Sequence, residues 1–523
     1  MFATLRRRRL ILLALTLALI VFAILLSRVS RITPHVRDAA IAGLEERFKS
    51  DVDIESLQVS IFPRPEVLGT RLSVRLKGNT KVIPMIRVHS YSASTGLWGL
   101  TSTPVRLRTV DLQGLAITLQ PGPRGASGAG RDNDRPKPVA PSTSPSKSRL
   151  VIDEIVARKA TLEILSRDEG KLPRVFQIND LVMHGLGDGG GSAFSASLTN
   201  WKPTGEVTTH GRFGPWSGNE PRQTPIRGDY VFKAANLNTI KGIAGMLSST
   251  GSYSGVLERI DVKGETDTPD FSIDVVGRPV HLKTRFEAVV DGTNGDTWLE
   301  RVEARIGETL ILARGAVVRA QDVKGRKTSL ELRIDDGRIE DVLKLGMKGD
   351  TPVMTGRMRL KTTFLLPAGE RDVLDKLELA GTFSLNEARF TNMNVQQRIN
   401  TLSQRGKGET DDNSPSVVSR LSGTFTLRDG MLTFANLSFG VPGAVVQIAG
   451  TYNIRREVLD FKGHLLLDAS LAETTAGFKA VLATIAQPLF RRPGGGSKIP
   501  IKIFGPREKP EFGLDVRRAL GPG

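Results

Sequence analysis

The chain has 523 residues, 39% hydrophobic and 24% charged, the balance of a folded protein rather than a disordered one. Lys+Arg total 73 against 55 Asp+Glu, a net charge of +18; with no cysteine, disulfides, thiol catalysis, iron–sulfur clusters and cysteine zinc sites are excluded. The 4 Trp and 4 Tyr argue against surfaces built to stack on bases or sugar rings, and 54 Gly suit a chain of short strands joined by tight turns.

Residues 1–9 form a basic tail containing Arg6-Arg7-Arg8-Arg9, and residues 10–26 are apolar apart from Thr16. At 1.5 Å per residue that run reaches roughly 26 Å, enough to cross a bilayer core once the flanking arginines snorkel. It predicts a single transmembrane anchor carried by Leu10, Leu13, Leu17, Val21, Leu25 and Leu26. Ser27-Arg28-Val29-Ser30 lacks a small-x-small cleavage pattern, so the anchor is expected to stay attached. The dense amino-terminal arginines favour a cytoplasmic tail and place the rest of the chain outside the cytoplasm. A basic surface there meets anionic lipid head groups or solvent, and nucleic acid is not expected as a partner.

In residues 27–120, Val36, Ala40, Leu44 and Phe48 recur at helical spacing just past Pro34, and the pattern then changes to a period of two from Val52. Residues 121–148 are a Pro/Gly/Ser-rich linker that cannot build a core. Residues 149–386 read as repeated strands, in which Ser329 to Asp335 and Arg357 to Lys361 alternate without fault; Gly-Thr recurs at expected strand starts at Gly381 and, beyond this stretch, at Gly423 and Gly450. In residues 387–523, Val395, Ile399 and Leu402 predict a helix capped by Asn394, and Phe478, Val481, Leu482 and Ile485 another over 474–487. Several strands carry one basic face: Arg75 and Lys77, Arg106 and Arg108, and Arg357, Arg359 and Lys361. Such a face either guards the sheet against aggregation or meets a polyanion.

The chemistry-bearing motifs are few. The six histidines are scattered, with none at metalloprotease spacing. Gly185, Gly187 and Gly190 satisfy G-x-G-x-x-G, but a strand pattern follows where a helix is required, so the run is a hairpin turn. Asp335-Asp336-Gly337 and Asp411-Asp412 are likewise expected in turns. No catalytic, cofactor-binding or metal-binding residue is assigned, no cofactor is expected, and nothing argues for an enzyme.

The anchor, the helix after it and Val52–Pro63 resemble the start of the AsmA-like family of bacterial envelope proteins, relatives of the bridge-like lipid-transfer proteins. The carboxyl end is similar as well, through Gly423–Phe434, Val441-Pro442-Gly443, Gly450-Thr451-Tyr452, Leu459–Gly463, Ile499–Gly505 and Pro510–Gly513. The resemblance implies a mostly β protein: a transmembrane helix, then an elongated, curved, groove-like antiparallel sheet with a few short capping helices. It also implies an inner-membrane location with the bulk of the chain in the periplasm, and a part in lipid transport to, or assembly of, the outer membrane. Partners would be the inner membrane, phospholipid or another anionic envelope lipid, and envelope proteins. Leu330, Leu332, Ile334, Met358 and Leu360 are the candidate groove lining, although a closed sandwich core gives the same alternation. A scaffold that moves nothing is the alternative function.

Overall fold

A computed structural model of the chain describes residues 33–60, 65–76, 84–119, 150–165, 174–320, 323–346, 351–408, 417–469 and 496–514, apart from 47, 49, 97, 100, 101, 188, 189, 218, 219, 274–277, 324 and 508. The tail and anchor over 1–26, Lys77, the linker 121–148, Asp411-Asp412 and the helix expected over 474–487 lie outside these residues. Among the described residues no helix is long and apolar enough to cross a membrane.

Strands dominate, as the period-two patterns require. They are β1 (Ser50–Ser60), β2 (Glu66–Leu76), β3 (Ile86–Ser94), β4 (Val105–Gln113), β5 (Ala116–Leu119), β6 (Leu150–Ile164), β7 (Arg174–Leu186), β8 (Ser192–Trp201) and β9 (Thr204–Phe213). Then come β10 (Pro225–Asn236), β11 (Ile243–Ala244), β12 (Met246–Val256), β13 (Arg259–Ile273), β14 (Val280–Val290), β15 (Thr297–Ile306), β16 (Thr309–Arg319) and β17 (Arg326–Arg338). The last are β18 (Met354–Leu366), β19 (Glu378–Phe390), β20 (Ser419–Arg428), β21 (Met431–Val441), β22 (Ala444–Asn453), β23 (Val458–Leu467), β24 (Ser497–Pro506) and β25 (Glu511–Leu514). Helices are few: α1 over 33–46, α2 (Ile339–Leu343), α3 (Val373–Lys376) and α4 (Met393–Lys407).

All 25 strands belong to one sheet. Each pairs with its successor in the chain, antiparallel, with two local exceptions. The strands β4 and β5 fill one position in turn between β3 and β6, and β11 extends the line of β12 against β13. The pairing of β4 and β5 with β6 is parallel, from Val105 beside Leu150 to Leu119 beside Ile164. No tight turn can join a parallel pair. From Leu119 the chain must return to Leu150 at the far end of β6, about 50 Å at 3.3 Å per residue. The segment 120–149 therefore has a topological task, and the sheet continues across it. The sheet also runs unbroken past residues 386–387, which lie inside β19.

The sheet is curved. Phe48, just before β1, meets Trp216 of the β9–β10 turn edge to face at 5.7 Å between ring centres. A Cβ placed on Gly242, in the β10–β12 link, would stand 3.5 Å from Val373 Cγ2 in the β18–β19 link. Each contact joins opposite edges of strands some seven positions apart, which a flat sheet would hold about 35 Å from each other. Strand twist of about 20 to 25° per position adds up to roughly half a turn over that interval. That half-turn carries one edge round to the other. Bulges such as those at Phe232/Ala235, Ile334/Gly337 and Leu385/Ala388 add local bends.

Inside the first curl lies α1. Its Val36 is 1% exposed and packs with Ile54, Leu57, Val105, Leu150 and Ile152, while Arg37 Nη2 donates to the Ile54 carbonyl at 2.9 Å. The amphipathic pattern read from Val36, Ala40 and Leu44 is thus the face that closes this end of the sheet.

Two local expectations are corrected. Asp335-Asp336-Gly337 is not a hairpin turn but a bulge within β17, where Asp335 and Asp336 oppose Arg359. Glycine is needed there for closeness rather than for turning, since a Cβ on Gly337 would come 2.6 Å from Ile334 Cγ2. The cap of α4 is Asn392, whose side chain accepts from the backbone N–H groups of Asn394 and Val395. Asn394 is capped rather than capping, and Gly408 at φ 80° ends the helix. Replacing Asn392 by Ala costs α4 about 1 kcal/mol. Amide hydrogen exchange over 395–407 is the check, with faster exchange expected there and no change in β14–β17.

Candidate functional site

In an antiparallel ladder directly paired residues share a face, so the register can be followed across the sheet strand by strand. From Leu332 it leads to Ala313 and Val302 on one side, and to Thr362, Gly381 and Phe425 on the other. From Leu360 it leads to Ile334, and through Phe383 to Gly423, Leu437, Ile448, Gly463 and Ile501. Toward the amino end the same face carries Phe286, Tyr230, Leu198, Ile178, Ala160 and Leu112. One face of the whole sheet, from β1 to β24, is therefore apolar or small.

All five predicted lining residues fall on this face. Leu330, Leu332 and Leu360 are half-buried on an open floor, with no second sheet over them among the described residues. Ile334 at 2% and Met358 at 6% exposure form a packed cluster with Ile339 of α2, Leu385 and Ala388 at the edge of the floor, and Leu360 packs against it. A closed sandwich would need a second layer and bury all five alike; among the described residues the sheet is one layer, with α1 inside its first curl and α2 at the edge of β17 and β18.

One feature of the floor escaped the sequence reading. Phe383 lies 6.1 Å from Phe425 and 6.3 Å from Phe434, and Phe434 lies 5.9 Å from Phe461, a phenylalanine ladder spanning β19 to β23. The signal was the repeated Gly-Thr-Phe. Gly381 and Gly423 are inside strands, not at their starts, and each pairs with the other strand's Phe: Gly381 with Phe425, Gly423 with Phe383. A Cβ on Gly423 would stand 3.2 Å from the Phe383 ring, so glycine lets the ring lie across the neighbouring strand.

The opposite face is charged, and its charges are largely matched across strands. Lys263 pairs with Glu287 at 3.2 Å, Arg285 with Glu265 at 2.8 Å, Arg314 with Glu331 and Arg428 with Glu378 at 2.9 Å. Three of the basic residues singled out from sequence join this pattern. Arg106 is 3.6 Å from Asp153, Arg357 is 2.9 Å from Asp336, and Arg359 donates to the Asp335 carbonyl. Exposed pairs of this kind contribute little each, and they leave less free charge for a polyanion than the sequence suggests. Histidines lie on the same face, with His281 Nε2 at 2.6 Å from Asp267 and His184 and His210 near Glu154 and Asp229. No group of three or more His, Asp or Glu among the described residues is placed to hold a metal.

The turn between β14 and β15 holds two buried carboxylates, Asp291 and Asp296. Asp291 accepts from Thr293 N and Oγ1 and from Asn294 Nδ2, at 2.6 to 2.8 Å, and burial pushes its carboxyl above the ordinary range despite those donors. Asp296 accepts from Arg319 N and from Arg326, whose guanidinium also donates to the Asn294 carbonyl at 2.8 Å. Arg326 thus fills the turn as an internal cation and ties it to the starting end of β17.

Compared with known proteins, the chain matches no family model, no curated protein and no solved structure.

Proposed function

We propose that this protein handles phospholipid in an apolar β-groove of the bacterial envelope, anchored in the inner membrane by residues 10–26 with the sheet in the periplasm, and that it contributes to lipid transport to, or assembly of, the outer membrane. The observation that carries this reading is the apolar face that continues from β1 to β24, covered by α1 over its first strands and half-buried at Leu330, Leu332 and Ile448. An acyl chain laid on it is shielded at about 0.8 kcal/mol per methylene. Because successive strands offer nearly equivalent surfaces, moving from one to the next changes that energy little. The resemblance to the AsmA-like proteins supports the same reading, and transfer along the floor requires no reaction.

The test is a photo-reactive amino acid placed at Leu332 or Ile448 on the floor, and at Arg333 on the charged face, in the full-length chain within its own membrane. Phospholipid adducts are expected at the two floor positions and not at Arg333, read by mass spectrometry of the purified chain. Equal labelling of both faces, or none at the floor, would leave a scaffold that carries no lipid.

A further inference from the structure

Between β9 and β13 the floor changes character. Gly211, Gly228, Gly251 and Gly264 replace the large aliphatic residues, and Tyr230 and Tyr253 lie among them. A Cβ on Gly228 would meet the Tyr253 hydroxyl at 2.7 Å, and one on Gly251 would meet the Tyr230 ring at 2.9 Å. A Cβ on Gly264 would meet the Tyr230 hydroxyl at 2.6 Å. Each ring therefore lies along the sheet over a neighbouring strand's glycine, Tyr253 reaching toward β9 and Tyr230 toward β13. In that posture the long axis of each ring runs across the strands on the groove side of the sheet.

Counting protons fixes what the two phenols have left to offer. Thr209 Oγ1 donates to the Asp229 carbonyl at 2.8 Å, and Ser249 Oγ donates to the Glu265 carbonyl at 2.9 Å. A carbonyl only accepts and a hydroxyl has one proton, so neither side-chain hydroxyl has a proton left for its tyrosine. With Thr209 and Ser249 donating to those carbonyls, we assign Tyr253, at 2.6 Å from Thr209 Oγ1, and Tyr230, at 3.1 Å from Ser249 Oγ, as the donors in those contacts. Burial raises both phenol pKa values above the ordinary value, so the protons stay in place. With its proton committed, each phenol oxygen is left with acceptor capacity alone.

We propose that Tyr230 and Tyr253 form a headgroup subsite in the groove, selective for an amphiphile whose head ends in an ammonium group. The inference rests on the groove reading above. Two acceptor-only oxygens suit the N–H donors of a primary ammonium, and aromatic rings beside them attract its charge. An anionic polyol head gains nothing from the ring faces, whose π-clouds are negative.

The full-length chain with a photo-reactive residue at Val262, which pairs directly with Tyr253, is offered vesicles containing equal phosphatidylethanolamine and phosphatidylglycerol. Adducts are expected to favour phosphatidylethanolamine by about tenfold. In the Tyr230→Phe, Tyr253→Phe double variant, which keeps the rings and removes the acceptors, the ratio is expected to fall severalfold with the total yield unchanged. An equal ratio in the parent chain, or a ratio that the double variant leaves intact, would overturn the subsite while leaving the groove standing. Absence of any lipid adduct at Val262 would overturn the groove in this stretch, and the subsite with it.

Discussion

Replacing Arg326 by Ala is expected to loosen β14 to β17 by about 3 kcal/mol, the lower end of the cost of stripping one partner from a buried ion pair. The side chain is 23% exposed and that of Asp296 12%, so water recovers only part of the loss. What remains is an Asp296 carboxylate that keeps the Arg319 N–H but has lost its guanidinium, an Asn294 carbonyl without that donor, and Asp291 close by without the cation. Three kcal/mol corresponds to roughly 150-fold faster hydrogen exchange for the β15 amides when they open locally. Adding Asp296→Asn should return much of the loss, because the second change removes the stranded charge. Arg333→Ala, which breaks an exposed pair with Asp335, should move exchange by less than fivefold. Similar exchange in the Arg326 and Arg333 variants would show that the turn is held by its Asp291 and Asn294 hydrogen bonds alone.

The same comparison shows which parts of the molecule a sequence exposes. Ser329 to Asp335 alternates because side chains on a strand alternate faces, and that local rule was enough to put Leu330, Leu332 and Ile334 on one side. It could not say that α2 would pack over Ile334 and Met358 but not over Leu332, because that depends on where a helix 5 to 20 residues away comes to rest. Gly-Thr-Phe was visible as a repeat, but its meaning, a ring over a glycine on the next strand, needs the register between β19 and β20. Asp-Gly marked a bulge as readily as a turn, since both ask for a compact backbone. The Arg326 turn was invisible for a different reason: its partners come from two links some 30 positions apart, with no spacing rule to join them. Nor does any residue pattern encode the curl, which accumulates from the twist of each strand.

If lipid moves along the floor, Leu360→Asp should interrupt it and Lys361→Asp should not, although the two residues are neighbours on β18. Leu360 faces the floor between Ile334 and Phe383; Lys361 faces the charged side beside Arg333. A carboxylate on the floor keeps its water, so an acyl chain passing over it leaves roughly three methylenes unshielded, about 2.4 kcal/mol. That slows passage about 50-fold. Photo-reactive residues at Val262 and at Ile448 lie on either side of this point and report the two halves separately. In the Leu360→Asp chain the adduct on the side nearer the lipid source should persist and the other should fall, which also gives the direction of travel. Leu360→Ala removes the same contacts without adding charge and should leave both adducts in place, separating a barrier from a simple loss of packing. Equal adducts on both sides of the Asp variant would mean that lipid enters each stretch of the groove from its open side, and that the long floor stores lipid rather than conducting it.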